Sequence, residues 1–179
     1  IVDTGVSDSH PDLDPLIAEY DFVNNDSDAT DDHFHGTHVA GLVASRASIY
    51  KGVAPGASLM AAKVMDSPGP GTSSYVISGL ECCVEPRADI ISMSLSSVPI
   101  TGTCDFSAMA IASNNAVADG VVVIAASGND GVTNGMGSPS CASNVISVGS
   151  VSKNDVRADS SNGDRELDVV APGKTIKSL

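Results

Sequence analysis

Short apolar runs alternate along this chain with stretches that have helical spacing. The runs at residues 1–2, 58–64, 90–93, 121–126, 145–148 and 167–170 predict strands, and the patterns near 37–45, 73–85 and 106–119 predict helices. The middle runs are continuously apolar rather than alternating, which predicts strands covered on both faces. Strand, helix and strand follow one another with short joins. That order implies right-handed crossovers and an α/β fold with a mostly parallel sheet. No internal repeat is visible, and the polar stretch at 24–32 is too short to be a linker.

Composition narrows the picture. Hydrophobic residues make up 42% of the 179, enough for a sizeable core, but aromatics are only 3% and Trp is absent. The core must therefore rest on Val, Ile, Leu and Ala. The net charge of −13 comes mostly from Asp, a residue of turns and caps and a hard oxygen ligand for cations. No basic stripe exists to neutralise phosphates, which argues against nucleic acid as a partner. No apolar run is long enough to span a bilayer. Ile1-Val2-Asp3 begins inside a strand pattern, and Leu179 follows another one closely. The expectation is a piece of a longer domain, so a missing leader says nothing about destination. Cys82 and Cys83 sit in a helical pattern as small apolar filler. Cys104 and Cys141 lie in polar segments, where a disulfide and two free thiols are both open.

Three segments carry candidate chemistry. Asp3-Thr4-Gly5 puts a carboxylate at the end of the first strand, where α/β sheets place active sites, although any strand-end turn can produce this triplet. His35-Gly36-Thr37-His38-Val39-Ala40-Gly41 puts an imidazole at the start of a small-residue helix. His35 and His38 are three apart and no Glu accompanies them, which ranks a zinc site low. Ser127-Gly128-Asn129-Asp130 follows the 121–126 run, and an Asn amide there can donate to a developing oxyanion; a plain Gly-Asn turn is the simpler reading of that segment alone.

Taken together and in this order, these segments resemble the subtilisin-like (subtilase) family. The resemblance extends through His10-Pro11-Asp12-Leu13, Gly52-Val53-Ala54-Pro55, Ser92-Met93-Ser94-Leu95 and Val169-Val170-Ala171-Pro172-Gly173. It implies a three-layer αβα domain, present here as residues 1–179 with the first strand and the serine-bearing part outside the chain. It also implies a secreted or cell-envelope serine endopeptidase. In that reading Asp3 orients His35, His35 is general base and then general acid, and Asn129 donates to the oxyanion. His38 is structural. The family's Gly-Thr-Ser-Met-Ala type motif is expected beyond Leu179. Gly71-Thr72-Ser73 precedes the Asn129 segment and continues as Ser74-Tyr75, so Thr72 or Ser73 reads as a helix N-cap. The alternative is a catalytically inactive subtilase-like module that binds peptide or serves a structural role.

The resemblance further implies partners and ligands. An extended peptide or protein substrate, or a propeptide, would add as a strand between Gly69-Pro70-Gly71 and Ser94-Leu95-Ser96. The first specificity pocket would be lined by Ser94, Leu95, Ser96, Ala126, Ser127 and Gly128. Ser96-Ser97 replaces a common Gly-Gly, which would narrow that pocket or stiffen its wall. Phe34 stands where a small residue is usual and would shape the pocket or shield the His–Asp contact; Cys82 stands where Trp is frequent. Asp21, Asn24, Asp26, Asp28 and Thr30, with Asp31 and Asp32 adding charge, resemble a calcium loop and make Ca²⁺ the expected cofactor, against a solvated acidic turn. Asp12 matches a second calcium site, but the 46–51 stretch that should complete it is short and carries two cations.

Overall fold

The computed structural model describes residues 1–67, 71–85 and 87–179. They form two compact units, Ile1–Ala88 with Lys177–Leu179 and Asp89–Ile176.

In the first unit three parallel strands, β1 (Val2–Asp3), β2 (Ala18–Asp21) and β3 (Met60–Lys63), lie in the order β1-β3-β2. Helices α1 (His35–Ala44) and α2 (Ser73–Val84) cover the sheet. Strand alternation assigns them to opposite faces. Ala61 joins the apolar cluster of Val6, Leu13, Ala29, Leu59 and the α1 residues Ala40 and Ala44. Its neighbour Ala62 and the register partner Val2 border Gly79 of α2. Asp3 and its partner Lys63 therefore point to the side of α1. Both faces of β3 are buried, as its apolar run predicts. Strand β2 was not predicted, because Ala18-Glu19-Tyr20-Asp21 has no apolar run; it pairs only with β3, and an edge needs less hydrophobic cover.

The second unit holds a parallel sheet in the order β4-β6-β8-β9, from Ile90–Met93, Val122–Ala126, Ile146–Val151 and Val169–Pro172. Between them come β5 (Pro99–Ile100) and β7 (Met136–Gly137), which pair antiparallel, and α3 (Ala108–Ala118), which packs on β6. Ser107 caps α3 by accepting from the Ala110 N–H at 3.2 Å. In β4, β6 and β8 only one face is buried, through residues such as Ile91, Met93, Val123 and Ala125, while Ile90, Val122 and Ile146 stay exposed. Cover on both faces, expected from the apolar runs, is thus found in β3 and not here. Strand β9 starts two residues later than its apolar run. The Asp168 carboxylate accepts from the backbone N–H and the hydroxyl of Ser147, so side-chain bonding precedes the ladder that begins at Val148 and Val169. Cys104 and Cys141 are joined as a disulfide with Cα atoms 5.3 Å apart.

Candidate active site

Asp3 closes β1 on the α1 side of the sheet, and His35 is the first residue of α1. The two meet because Gly36 lets the helix start against the Asp3-Thr4-Gly5 turn. A Cβ at position 36 would lie 2.0 Å from the Gly5 carbonyl oxygen. Phe34, the residue before the helix, takes a left-handed φ of 85°, uncommon for an aromatic residue. The His35 Nδ1 atom is 2.6 Å from Asp3 Oδ1, which also accepts from the Thr4 N–H at 2.8 Å. A carboxylate only accepts, so the proton of this bond belongs on Nδ1, which leaves Nε2 as the acceptor. Asp3 is buried whereas the His35 side chain is 40% exposed, so the imidazole bridges a buried charge and an accessible edge. The hydrogen bond to Asp3 raises the His35 pKa; burial opposes it, and the charges of Asp3 and Asp31 add to the rise.

A second layer fixes both partners. Asp31 Oδ1 accepts from the Thr4 hydroxyl at 2.9 Å and from the N–H groups of His33 and Phe34, both at 3.0 Å. Its Oδ2 accepts from the N–H and hydroxyl of Thr37 at 2.8 and 2.6 Å. Thr4 Oγ1 in turn accepts from the Gly36 N–H at 2.9 Å. Burial pushes the Asp31 pKa up, but the bonds from Thr37, His33 and Thr4 outweigh it and leave it lowered. Below the turn, buried Lys63 donates to the Thr4 carbonyl and to Asp32 Oδ1, both at 2.7 Å, and to the Met65 carbonyl at 3.1 Å. Sequence reading took Asp31 and Asp32 only as added charge beside a candidate calcium loop and did not single out Lys63.

In the second unit the Asn129 loop leaves the C-terminal end of β6. The neighbouring strand β4 runs parallel with Met93 opposite Ala125, so Ser94-Leu95-Ser96 and Ala126-Ser127-Gly128 emerge side by side. A Cβ on Gly128 would sit 3.0 Å from Ser96 Oγ. Ser97, the second residue of the Ser-Ser pair, accepts from the Ser138 N–H at 2.9 Å. Asn129 is exposed.

The sequence profile of the subtilase family, peptidase S8, matches residues 1–179. The chain belongs to the subtilase family. It is 42% identical over 183 residues to subtilisin DY of Bacillus licheniformis, with 99% of this chain and 65% of that protein covered. It is 40% identical over 190 residues to the major intracellular serine protease of Bacillus subtilis (strain 168), with 99% and 58% covered. The solved structure of a cold adapted subtilisin-like serine proteinase superposes with a TM-score of 0.87 at 34% identity, covering 99% of this chain and 63% of that one. The three-layer α/β architecture is thus that of the subtilisin fold. The chain spans about two-thirds or less of the length of these relatives.

The remaining subtilase-like positions are placed as follows. Gly71 lies ahead of α2, where a Cβ would press within 2.5 Å of the Met65 side chain; Gly69 lies outside the described residues. Thr72 is the N-cap of α2, accepting from the Tyr75 N–H at 3.4 Å, in agreement with the capping role read for Gly71-Thr72-Ser73. Phe34 stacks on His33, with ring centroids 4.6 Å apart, and stands 72% exposed, so it does not shield the His–Asp contact. His33 itself, with its ring 6.4 Å from that of His35, is a neighbour that sequence reading missed, and no motif marks it.

The acidic loop is folded on itself by side-chain to backbone hydrogen bonds. Asp21 is buried and accepts from the Val23 and Asn24 N–H groups and from Asn24 Nδ2. Asp26 accepts from the Asp28 N–H, and Asp28 from the Thr30 N–H. These are successive Asx turns, which engage one carboxylate oxygen each of Asp26 and Asp28. Among the described residues no group of three or more His, Cys, Asp or Glu side chains is gathered to hold a metal. At the other candidate position, Arg46 pairs with Asp14.

Proposed function

We propose that this chain is the Asp- and His-bearing part of a serine endopeptidase that cleaves extended peptide or protein substrates. The observation that carries the reading is the 2.6 Å contact between Asp3 and His35, with Nε2 left to accept a proton. A serine supplied beyond Leu179 transfers its hydroxyl proton to His35 Nε2 as its oxygen adds to the scissile carbonyl carbon. Asp3 holds the Nδ1 proton and stabilises the imidazolium. Asn129 donates to the oxyanion, an interaction worth about 3 kcal/mol in the subtilisins themselves. The imidazolium then protonates the leaving amine as the C–N bond breaks. Water, deprotonated by His35, then adds to the acyl carbon, and the imidazolium returns that proton to the serine oxygen as the ester C–O bond breaks.

The strand ends carrying Ser94, Leu95, Ser96, Ala126, Ser127 and Gly128 are proposed to line the first specificity pocket, with Gly69 and Gly71 supplying backbone to the substrate. A propeptide would use the same strand-like mode. Secretion or attachment to the cell envelope is proposed, supported by the disulfide between Cys104 and Cys141. No helix among the described residues is long and apolar enough to cross a membrane. Calcium is proposed as the ligand of the loop of Asp21, Asn24, Asp26, Asp28 and Thr30, supported by its closely spaced oxygen donors.

The test is labelling of the full-length protein by a serine-directed fluorophosphonate. Labelling that falls sharply in His35→Ala supports the endopeptidase. Unchanged labelling in that variant contradicts the role of His35, and no labelling of a folded wild type favours an inactive peptide-binding module.

A further inference from the structure

We propose that Asn162 is a positioning residue that holds the Asn129 loop in its oxyanion-binding conformation; the inference rests on the role of Asn129 proposed above. Asn162 is fully buried and lies in none of the motifs that carry the family resemblance. Its Oδ1 accepts from the backbone N–H groups of Asp130 at 2.8 Å and Val132 at 3.3 Å. Its Nδ2 donates to Asp130 Oδ2 at 2.8 Å. Its backbone N–H donates to the Gly128 carbonyl at 2.9 Å, and its carbonyl accepts from the Ser127 hydroxyl at 2.9 Å.

One buried side chain and its own peptide groups thus bind the residues on both sides of Asn129. The Asn129 side chain itself makes no hydrogen bond among the described residues, which leaves its amide free to donate. Gly128 completes the fit. It takes a φ of +107°, and a Cβ there would meet Asn162 Nδ2 at 2.3 Å. The loop packs so tightly on Asn162 that only glycine is accommodated at 128. Oxyanion donors act by being fixed before charge develops, and a displacement of about 1 Å can cost on the order of 100-fold in rate. A residue that fixes the peptide units at 128 and 130 fixes the origin of the Asn129 side chain.

The experiment uses the full-length protein and a peptide substrate, with the melting temperature of every variant recorded. Asn129→Leu sets the reference, with an expected loss of about 10²–10³-fold in kcat at little-changed KM. Asn162→Asp keeps the acceptor for the two backbone amides but sets a carboxylate against Asp130. It is expected to lower kcat at least about tenfold with KM within about twofold. Adding Asp130→Asn to that variant returns an amide donor to the pair and is expected to recover most of kcat, a rescue that loss of global stability alone would not give. Asp130 is exposed, so Asp130→Ala serves where Asn162→Asp does not fold, and a severalfold fall in kcat at constant KM is expected. Unchanged kcat in Asp130→Ala and in folded Asn162→Asp, beside a large loss in Asn129→Leu, overturns the positioning role alone. Unchanged kcat in Asn129→Leu overturns the oxyanion reading and the inference with it.

Discussion

Asp31 accepts the hydroxyl hydrogen of Thr4 at 2.9 Å and so ties the residue after Asp3 to the loop that precedes His35. The same carboxylate takes both the N–H and the hydroxyl of Thr37 inside α1, making it a brace between the partners of the Asp–His contact. Asp31→Asn keeps the shape, but its NH₂ faces donors on whichever side it turns. The His35 pKa is expected to fall, through loss of the Asp31 charge and loosening of the turn. An NMR titration of the His35 ring reads this directly, and an unmoved midpoint would rule the brace out.

The raised His35 pKa also predicts how stability depends on pH. Protonated His35 is favoured in the folded state by its bond to Asp3. The contribution is therefore complete below the unfolded value of about 6.5 and is lost as pH rises through the folded pKa. Urea unfolding of wild type and His35→Gln should differ most at about pH 5–6 and converge in mildly alkaline buffer. A gap that widens with pH would refute the assignment.

Gly36→Ala should be strongly destabilising, by about 3 kcal/mol or more, because the new methyl meets backbone rather than a side chain that can turn away. Gly56, with nothing within 4 Å of its would-be Cβ, is the control, and Gly56→Ala should change stability by less than about 1 kcal/mol. Denaturant midpoints of the two variants decide the matter, and equal shifts would contradict it.

Calcium offers a further check. The Asx turns at Asp26 and Asp28 use one carboxylate oxygen each, so adding Ca²⁺ to chelator-treated protein is expected to raise the melting temperature with ion concentration. A flat melting temperature would remove the calcium assignment.

Much of this was legible from sequence because it is local. A strand-end Asp, a His opening a Gly-containing helix and the Ser-Gly-Asn turn each declare themselves within a few residues, and Thr72 as a cap is equally local. Asp31, Lys63 and Asn162 were not legible in the same way. Thr4 and Asp31 are separated by 27 positions, Lys63 and the Thr4 carbonyl by 59, and Asn162 and Asp130 by 32. Their roles exist only once β3 lies beside β1 and the 157–163 segment folds over the end of β6. Strand β2 escaped for another reason: hydrogen bonding to β3, not apolar patterning, holds it.

Asn162 is followed by Gly163, a sequence in which an asparagine amide readily cyclises onto the next peptide nitrogen and opens to aspartate. Here Nδ2 is engaged with Asp130 and sealed from water, so the folded protein shelters its own weak bond. Asn134-Gly135 carries the same dipeptide with its Asn side chain exposed, and only the Gly135 N–H, donating to the Gly163 carbonyl at 3.0 Å, restrains it. Chemical ageing should therefore begin at 134 and reach 162 only in molecules that have already breathed open. There, one deamidation would set two carboxylates face to face.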